Sequence, residues 1–236
     1  MRKMASCDSG SAHTRNTTAW WADGDWRAKA EPAAAADAVG FAAVAAEPQA
    51  VRRRRMPTFV ALLRGVNVGK AKRVPMAELR ALLSGLGYRG VATLLNSGNA
   101  VFHAARGTPA KHSAAIAAAI STQLKVEVPV IVKSASELAA IISENPIRAG
   151  AEEHPRFLVA FVQDAKALSS LAAIESLVVP PEQFSVGKNA AYLLCAAGIL
   201  ESKAWEALLG KAGKSATTRN WATVLKLQAL ANEADA

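Results

Sequence analysis

Residues 58–75, TFVALLRGVNVGKAKRVP, decide the fold, because they join an apolar run to a basic, glycine-containing turn and then to a proline. The apolar run over 58–64 is typical of a buried strand. Val74-Pro75 ends the turn, since a proline restricts the residue before it and suits the first position of a helix. The stretch therefore predicts a strand, a basic loop and the start of a helix.

The residues that follow complete a β-α-β-β-α-β unit. After an apolar helical face, the runs 91–96 and 100–104 flank Ser97-Gly98-Asn99, which is a hairpin signal. A second helix leads to a strand over 126–132, and its Pro129 favours a position at the edge of a sheet. This order of elements is that of a ferredoxin-like unit, in which the fourth strand lies at an edge.

The second half repeats this pattern with a different ending. A capping box, Ser134 and Glu137, opens a helix in a connection over 134–155. A strand, a helix, a hairpin and another helix follow. The last element is predicted as a helix from about Thr218 to Asn232, capped by Thr217 or Thr218, in place of a fourth strand. The fold class is therefore α+β, with ferredoxin-like subdomains of βαββα type over 56–133 and 156–236 and a C-terminal helix.

Residues 1–55 differ from the rest in composition. They are rich in alanine, show little packing periodicity and end in four arginines, Arg52 to Arg55. Such a composition is typical of a disordered, low-complexity extension ahead of Met56. The arginines also fit a nucleic-acid-binding arm, and both interpretations stay open.

Charge and composition limit the functional classes only broadly. The chain has a formal net charge of +9, of which residues 56–236 contribute 19 cations and 13 acids. This excess attracts polyanions in general. Cys7 and Cys195 lie far apart and imply no disulfide framework, and no apolar run is long enough to cross a membrane. We expect a cytoplasmic protein without a membrane partner, and the oligomeric state is not indicated.

A candidate ligand-binding edge follows from the topology. In a β-α-β-β-α-β unit the first and second strands are parallel, so the loop after Arg64 and the hairpin tip at 96–99 share one edge of the sheet. Donors are abundant there and no acid occurs before Glu78. Glycines permit close backbone approaches, so the edge predicts a site for a small anionic or nucleotide-like ligand. Its predicted ligand-binding residues are Arg64, Gly65, Asn67, Gly69, Lys70, Ser97 and Asn99.

A second basic cluster lies in residues 214–227, KSATTRNWATVLKL. If this stretch is helical from Thr218, Arg219, Thr223 and Lys226 share one face. A bound anion would offset the unfavourable position of an arginine in the first turn. Arg219, Asn220 and Lys226 therefore join the predicted ligand-binding residues, and a solvated basic stripe is the alternative.

A possible phosphate-binding motif and a possible metal site both lack the residue spacing that these functions require. Gly210-Lys211-Ala212-Gly213-Lys214-Ser215 resembles a phosphate-binding P-loop, but its glycines are too close and a helix precedes it. His103, His112 and His154 have no metal-ligand spacing. We therefore expect no metal and no cofactor. No catalytic residue can be assigned, which leaves open whether the protein is an enzyme.

Four stretches resemble one bacterial family, the domain of unknown function 1697. They are LLRGVNVGKAKRVPMAELR, LLNSGNAVF, ESK at 201–203 and TTRNWATVLKL, and the resemblance spans about 56–230. It implies a compact α/β protein with ferredoxin-like subdomains and carries no established activity or catalytic residue. The RG-x-N-x-GK element corresponds to Arg64, Gly65, Asn67, Gly69 and Lys70, SGN to 97–99, and TTRNW to 217–221.

Three functions remain after these observations. The first is binding of a small anionic or nucleotide-like ligand at the edge that carries RGVNVGK and NSGN. The second is a structural or interaction role, in which Arg219 and Asn220 are buried and hydrogen-bond backbone carbonyls between the halves. The third is a nucleic-acid-binding module driven by the net positive charge, with affinity that falls steeply with salt.

Overall fold

Two four-stranded antiparallel sheets form the described part of this computed structural model, which comprises residues 56–68 and 72–235. The first sheet has the order β2-β3-β1-β4. Its strands are β1 (Thr58–Leu63), β2 (Arg89–Leu94), β3 (Asn99–His103) and β4 (Val130–Ser134). Its outer face packs against α1 (Met76–Gly85) and α2 (Pro109–Leu124). The predicted extension over 1–55 lies outside the described residues.

The second sheet has the corresponding order β6-β7-β5-β8. Its strands are β5 (Phe157–Val162), β6 (Gln183–Val186), β7 (Ala190–Leu194) and β8 (Ala216–Asn220). A 3₁₀ segment, Ala165–Leu177, and α4 (Lys203–Leu209) pack on its outer face. The remaining helices are α3 (Ala135–Ser143), a 3₁₀ turn (Ala151–Glu153) and α5 (Trp221–Asp235).

The central strand of each sheet is buried on both faces, which explains why its sequence is apolar without alternation. In β1, Phe59, Ala61 and Leu63 face the outer helices, whereas Val60 and Leu62 face the second sheet. The core between the sheets also contains side chains of α3 and α5, such as Leu138 and Val224. Both sheets therefore share one middle layer within a single compact unit.

The 3₁₀ segment explains a three-residue spacing in the sequence. Leu168, Leu171 and Ile174 are buried against the second sheet. A 3₁₀ helix has three residues per turn, so side chains at this spacing align on one face. Asp164 caps the segment, because its Oδ1 accepts from the backbone N–H of Lys166 at 2.9 Å.

Local side chains cap the starts of α2, α3 and α4. Thr108 caps α2 by accepting from the N–H of Lys111, and Ser202 caps α4. Ser134 and Glu137 form the predicted capping box. In contrast, β4 begins only at Val130, because Pro129 has no N–H to donate to the ladder. The strand lies at the edge of the sheet, as the proline indicated.

The predicted helix start at about Thr218, in place of a fourth strand, is wrong. Residues 216–220 form β8, a fourth strand paired with β5, with Arg219 opposite Val159. The helix begins only at Trp221, and its cap is Asn220, whose Oδ1 accepts from the N–H of Thr223 at 2.9 Å. Thr217 and Thr218 are therefore not helix caps, and Arg219 shares no helical face with Lys226. The second half contains the same β-α-β-β-α-β order of strands and helices as the first, followed by α5.

Three side chains attach the second sheet to β4 and α3, away from the candidate edge. The Gln163 amide extends the edge strand β4, since its Oε1 accepts from Val132 N at 2.9 Å and its Nε2 donates to Val132 O at 3.3 Å. Glu144, just after α3, accepts from the backbone N–H and the side-chain amide of Asn189, each at 2.9 Å. The Tyr192 hydroxyl donates to Ile141 O at 2.6 Å. These bonds attach the second sheet to β4 and α3.

Candidate ligand-binding edge

The loop after β1 and the hairpin tip after β2 lie side by side, as the topology predicts. β1 and β2 are both antiparallel to β3, so their carboxyl ends meet at one edge of the sheet. Leu63 N donates to Gly98 O at 2.8 Å. A Cβ on Gly98 would lie 2.6 Å from Leu63 Cβ and 2.7 Å from Val66 Cγ2, and its φ is +75°. Only glycine allows this close contact between the two segments.

Asn67 determines the shape of the loop. It has a φ of 57°, and its Oδ1 accepts from Val74 N at 2.9 Å. Its Nδ2 donates to Val74 O at 2.9 Å and to Asn96 O at 2.6 Å. The amide thus joins the two ends of the loop and fixes them to the hairpin tip. Both of its N–H groups are engaged within the protein.

Asn99 has a similar internal role on the hairpin. It is completely buried, and its Nδ2 donates to Leu94 O and to Ser97 Oγ, each at 2.9 Å. Its Oδ1 accepts from Arg219 Nε. Asn99 therefore connects the hairpin tip with the second sheet.

Arg219 binds across from β8 to the first sheet. Its guanidinium donates to Leu63 O at 2.7 Å and to Ser97 O at 3.0 Å, in addition to Asn99. Thr217 Oγ1 and Thr218 O accept its remaining N–H groups at 3.0 and 2.7 Å. All five N–H groups of the guanidinium are thus used.

The environment of Arg219 contains neutral acceptors. Burial lowers the pKa of Arg219 to about 10, so it remains a cation at neutral pH. The hydrogen-bond acceptors of Arg219 within the described residues are carbonyl, amide and hydroxyl oxygens, including Gly98 O at 3.4 Å. Six such acceptors compensate for the water that the guanidinium loses on burial. Its position matches the buried, satisfied arginine expected for a structural role.

The other predicted residues have varied positions. Arg64 is half-buried and donates to the carbonyl of Lys214 in the second half. Asn220 caps α5, and Lys226 is exposed on that helix. Gly69 and Lys70 lie outside the described residues. The structure therefore brings together Arg64, Gly65, Asn67, Ser97, Asn99 and Arg219.

A depression of about 470 Å³ opens beside this edge, in front of α1. α1 begins after Pro75, and no side chain of the described residues caps it, so these residues leave the first-turn N–H groups without an intrahelical or capping partner. Arg73 is exposed, whereas Glu78 is the acid of the first helical turn. The lining residues among those described are Asn67, Arg73, Val74, Pro75, Met76 and Asn96.

Pro75 and Met76 were missed as site residues by the sequence analysis. The signal for them was present, because a basic loop followed by proline predicts a helix N-terminus, which favours anions. Arg73 belongs to the basic loop but was not among the predicted ligand-binding residues. What the sequence could not indicate is which polar side chains turn inward, as Asn67 and Asn99 do.

The titratable side chains elsewhere do not form a metal site within 56–68 and 72–235. Burial raises the pKa of the Cys195 thiol, which favours the unreactive thiol form. His103 lies 3.0 Å from Thr58 Oγ1, and His112 lies 2.9 Å from the Tyr88 hydroxyl. In the same residues, no helix is both long and apolar enough to cross a membrane.

Comparison with known proteins gives a family and a fold. Residues 56–192 match the model of the family described as "Protein of unknown function (DUF1697)". The structure is similar to that of the conserved bacterial protein SP0830 from Streptococcus pneumoniae, with a TM-score of 0.63 and 24% sequence identity. The similarity covers 74% of this chain and 98% of that one, and at this identity it supports the fold alone. A search of curated proteins finds no match.

Proposed function

Because the chain belongs to the DUF1697 family of proteins of unknown function, we propose its function from the site: it binds a small anionic or nucleotide-like ligand in the depression in front of α1. The observation that carries this proposal is a depression of about 470 Å³ at an uncapped helix N-terminus, with exposed Arg73 on its rim. This volume falls within the range of about 300–1,000 Å³ found for small-molecule sites.

The groups around the depression suit an anion attached to an organic body. The first-turn N–H groups of α1 and the Arg73 guanidinium favour negative charge. Met76 contributes apolar surface, and the Asn96 side chain is exposed at the hairpin tip. In this proposal, Asn67, Asn99 and Arg219 hold the walls in place through their internal hydrogen bonds.

Calorimetric titration of the full chain with inorganic phosphate, AMP and ADP tests the proposal. We expect at least one of these to bind, and Arg73→Ala to weaken that binding roughly tenfold or more through loss of a charge-assisted contact. Arg106→Ala is the matched control, since Arg106 is exposed beyond the opposite end of β3. The proposal fails if none of the three anions binds, or if both variants weaken binding equally.

A structural or interaction role is the second candidate, and the six internal hydrogen bonds of Arg219 favour it. In this version the edge connects the two halves and needs no ligand. Failure of all three anions in the titration, with a large loss of stability on removal of Arg219, would support it. The nucleic-acid alternative rests on net charge alone and stays a prediction, as do the cytoplasmic location and the absence of a cofactor.

We also propose that the halves are ferredoxin-like subdomains, over 56–133 and 156–236, joined by the connection over 134–155. Support comes from the strand orders β2-β3-β1-β4 and β6-β7-β5-β8, with two outer helices against each sheet. In each half the first and second strands are parallel but not adjacent. This is the arrangement of a split β-α-β unit.

A further inference from the structure

A second groove runs along the outer edge of β6, which is the terminal strand of the second sheet. Gln183, Phe184 and Ser185 line this cavity of about 490 Å³. β6 pairs with β7 on its other side. Alternate residues of an edge strand direct N–H and C=O groups away from the sheet, so the groove offers main-chain donors and acceptors to a further strand.

The walls of the groove limit what can fit. Pro146 and Ile147 form one wall, and Ile147 belongs to the core between the two sheets. Glu175 and Val178 form the other, beside the core on the opposite face of the second sheet. The edge of β6 is thus recessed between walls on both faces. A single extended segment fits such a groove, whereas a second sheet covered by its own helices does not.

The charge of the groove selects a basic segment. Glu175 and Glu182 line it, and its described lining residues include no Lys, Arg or His. The chain around it is basic, with 19 cations and 13 acids over residues 56–236. An acidic groove on a basic protein complements a cationic partner.

The groove also provides apolar surface. Val178 and Phe184 line it, and Val179 beside it is 64% exposed. Successive side chains of a strand point to opposite faces, so an added strand can direct one set of residues toward each wall. A segment that alternates apolar and basic residues matches these surfaces.

We propose that this groove binds an extended segment of another protein, with alternating apolar and basic residues, as a strand added to β6. Binding combines main-chain hydrogen bonds to β6 with contacts from lysine or arginine to Glu175 and Glu182. Among the residues that the structure describes, this site shares none with the depression in front of α1. The two proposals can therefore fail independently.

The test uses the full chain and a fluorescein-labelled peptide with the repeat Lys-Val-Thr-Val, eight residues long. We expect fluorescence anisotropy to show binding, with the peptide carrying Glu in place of Lys roughly tenfold weaker or more. Hydrogen exchange of the bound protein should be slowed in residues 183–186. A peptide with prolines at the Thr positions loses ladder donors and should bind more weakly.

Charge-reversal variants locate the site. Glu175→Lys combined with Glu182→Lys should abolish the preference for the basic peptide, whereas Glu233→Lys, exposed on α5, should leave it unchanged. Thermal unfolding of each variant establishes that it is folded. Absence of binding, an unchanged preference in the double variant, or slowed exchange at β2 or β8 in place of β6 would overturn the proposal. Concentration-dependent dimerisation that protects β6 without peptide would overturn it in favour of a second copy.

Discussion

Arg219 is the side chain whose loss we expect to damage the protein most at the candidate edge. It donates to Leu63 O and Asn99 Oδ1 of the first sheet and to Ser97 O of the hairpin tip. Arg219→Met leaves the buried Leu63 O and Asn99 Oδ1 without this donor, and each such loss is unfavourable by about 1–3 kcal/mol. We predict that urea denaturation will show a free energy of unfolding lower by about 3 kcal/mol or more.

Two further variants separate charge from geometry in this experiment. Arg219→Lys keeps the charge but has three donors in place of five, so we expect it to lose most of the same stability. Lys226→Met, exposed on α5, should change stability by less than about 0.5 kcal/mol. If Arg219→Met unfolds at the same urea concentration as the wild type, the role assigned to the guanidinium is wrong.

His112 makes the stability of the first sheet sensitive to acid. Its ring is buried beside Phe59, Phe102 and Tyr88, and its Nε2 has no hydrogen-bond partner among the residues that the structure describes. Burial lowers the pKa of His112, so the unfolded chain binds this proton at a higher pH than the folded one. Its contribution to stability is present above the unfolded pKa of about 6.5 and is lost as the pH falls through the folded pKa.

We predict a loss of unfolding free energy between pH 7 and pH 5, with His112 contributing a slope of up to about 1.4 kcal/mol per pH unit. Urea denaturation at several pH values measures it. The double variant Tyr88→Phe with His112→Phe keeps the aromatic packing and removes the titrating ring together with its hydroxyl partner. Its slope should be smaller than that of the wild type. Equal slopes would exclude a role for His112.

At the level of elements, local sequence predicts most of the first sheet but not β8. The runs that became β1 and β3 are apolar and bounded by turn residues, so their own patterns mark them as strands. Residues 216–220 contain two threonines, which are also good helix caps, directly before a helical pattern. Their strand character comes from pairing with β5, about which local spacing carries no information.

The candidate edge shows the same division between what topology predicts and what it does not. That the loop after Arg64 meets the tip at 97–99 follows from the parallel directions of β1 and β2. The spacing of residues 219–226 also predicted a functional role for Arg219. That prediction relied on a helical face shared with Lys226, which the structure does not contain. The binding of Arg219 to Leu63 O depends on how the two sheets pack, and no local pattern encodes this.

Asn220 is the residue where β8 ends and α5 begins, so its capping bond should contribute to the stability of the helix. Its Oδ1 accepts from Thr223 N at 2.9 Å. We predict that Asn220→Ala lowers the free energy of unfolding by about 1 kcal/mol in chemical denaturation, whereas Asn220→Asp retains most of it. Glu233→Ala, exposed near the end of α5, is the control and should have little effect. Equal stability of Asn220→Ala and wild type would show that the cap is not needed.

At the level of the whole molecule, the middle layer makes the two sheets interdependent. The same core contains Val60 of the first sheet, Phe157 of the second and Leu138 and Leu227 of the helices between them. Neither half forms this layer alone, because the inner face of each sheet is buried against α3, α5 and the other sheet. The hydrogen bonds of Arg219, Gln163 and Glu144 add polar connections at separate places.

This shared layer predicts that the two sheets unfold as one cooperative unit. Leu171→Ala opens a cavity in the outer core of the second sheet and should destabilise the protein by about 2–5 kcal/mol. If unfolding is cooperative, the slowest-exchanging amides of β1 will lose as much protection in native-state hydrogen exchange as those of β5. Ile116→Val, in the outer core of the first sheet, provides the reciprocal and milder change. Wild-type protection of β1 in Leu171→Ala would instead mean that the first sheet stays folded while the second opens.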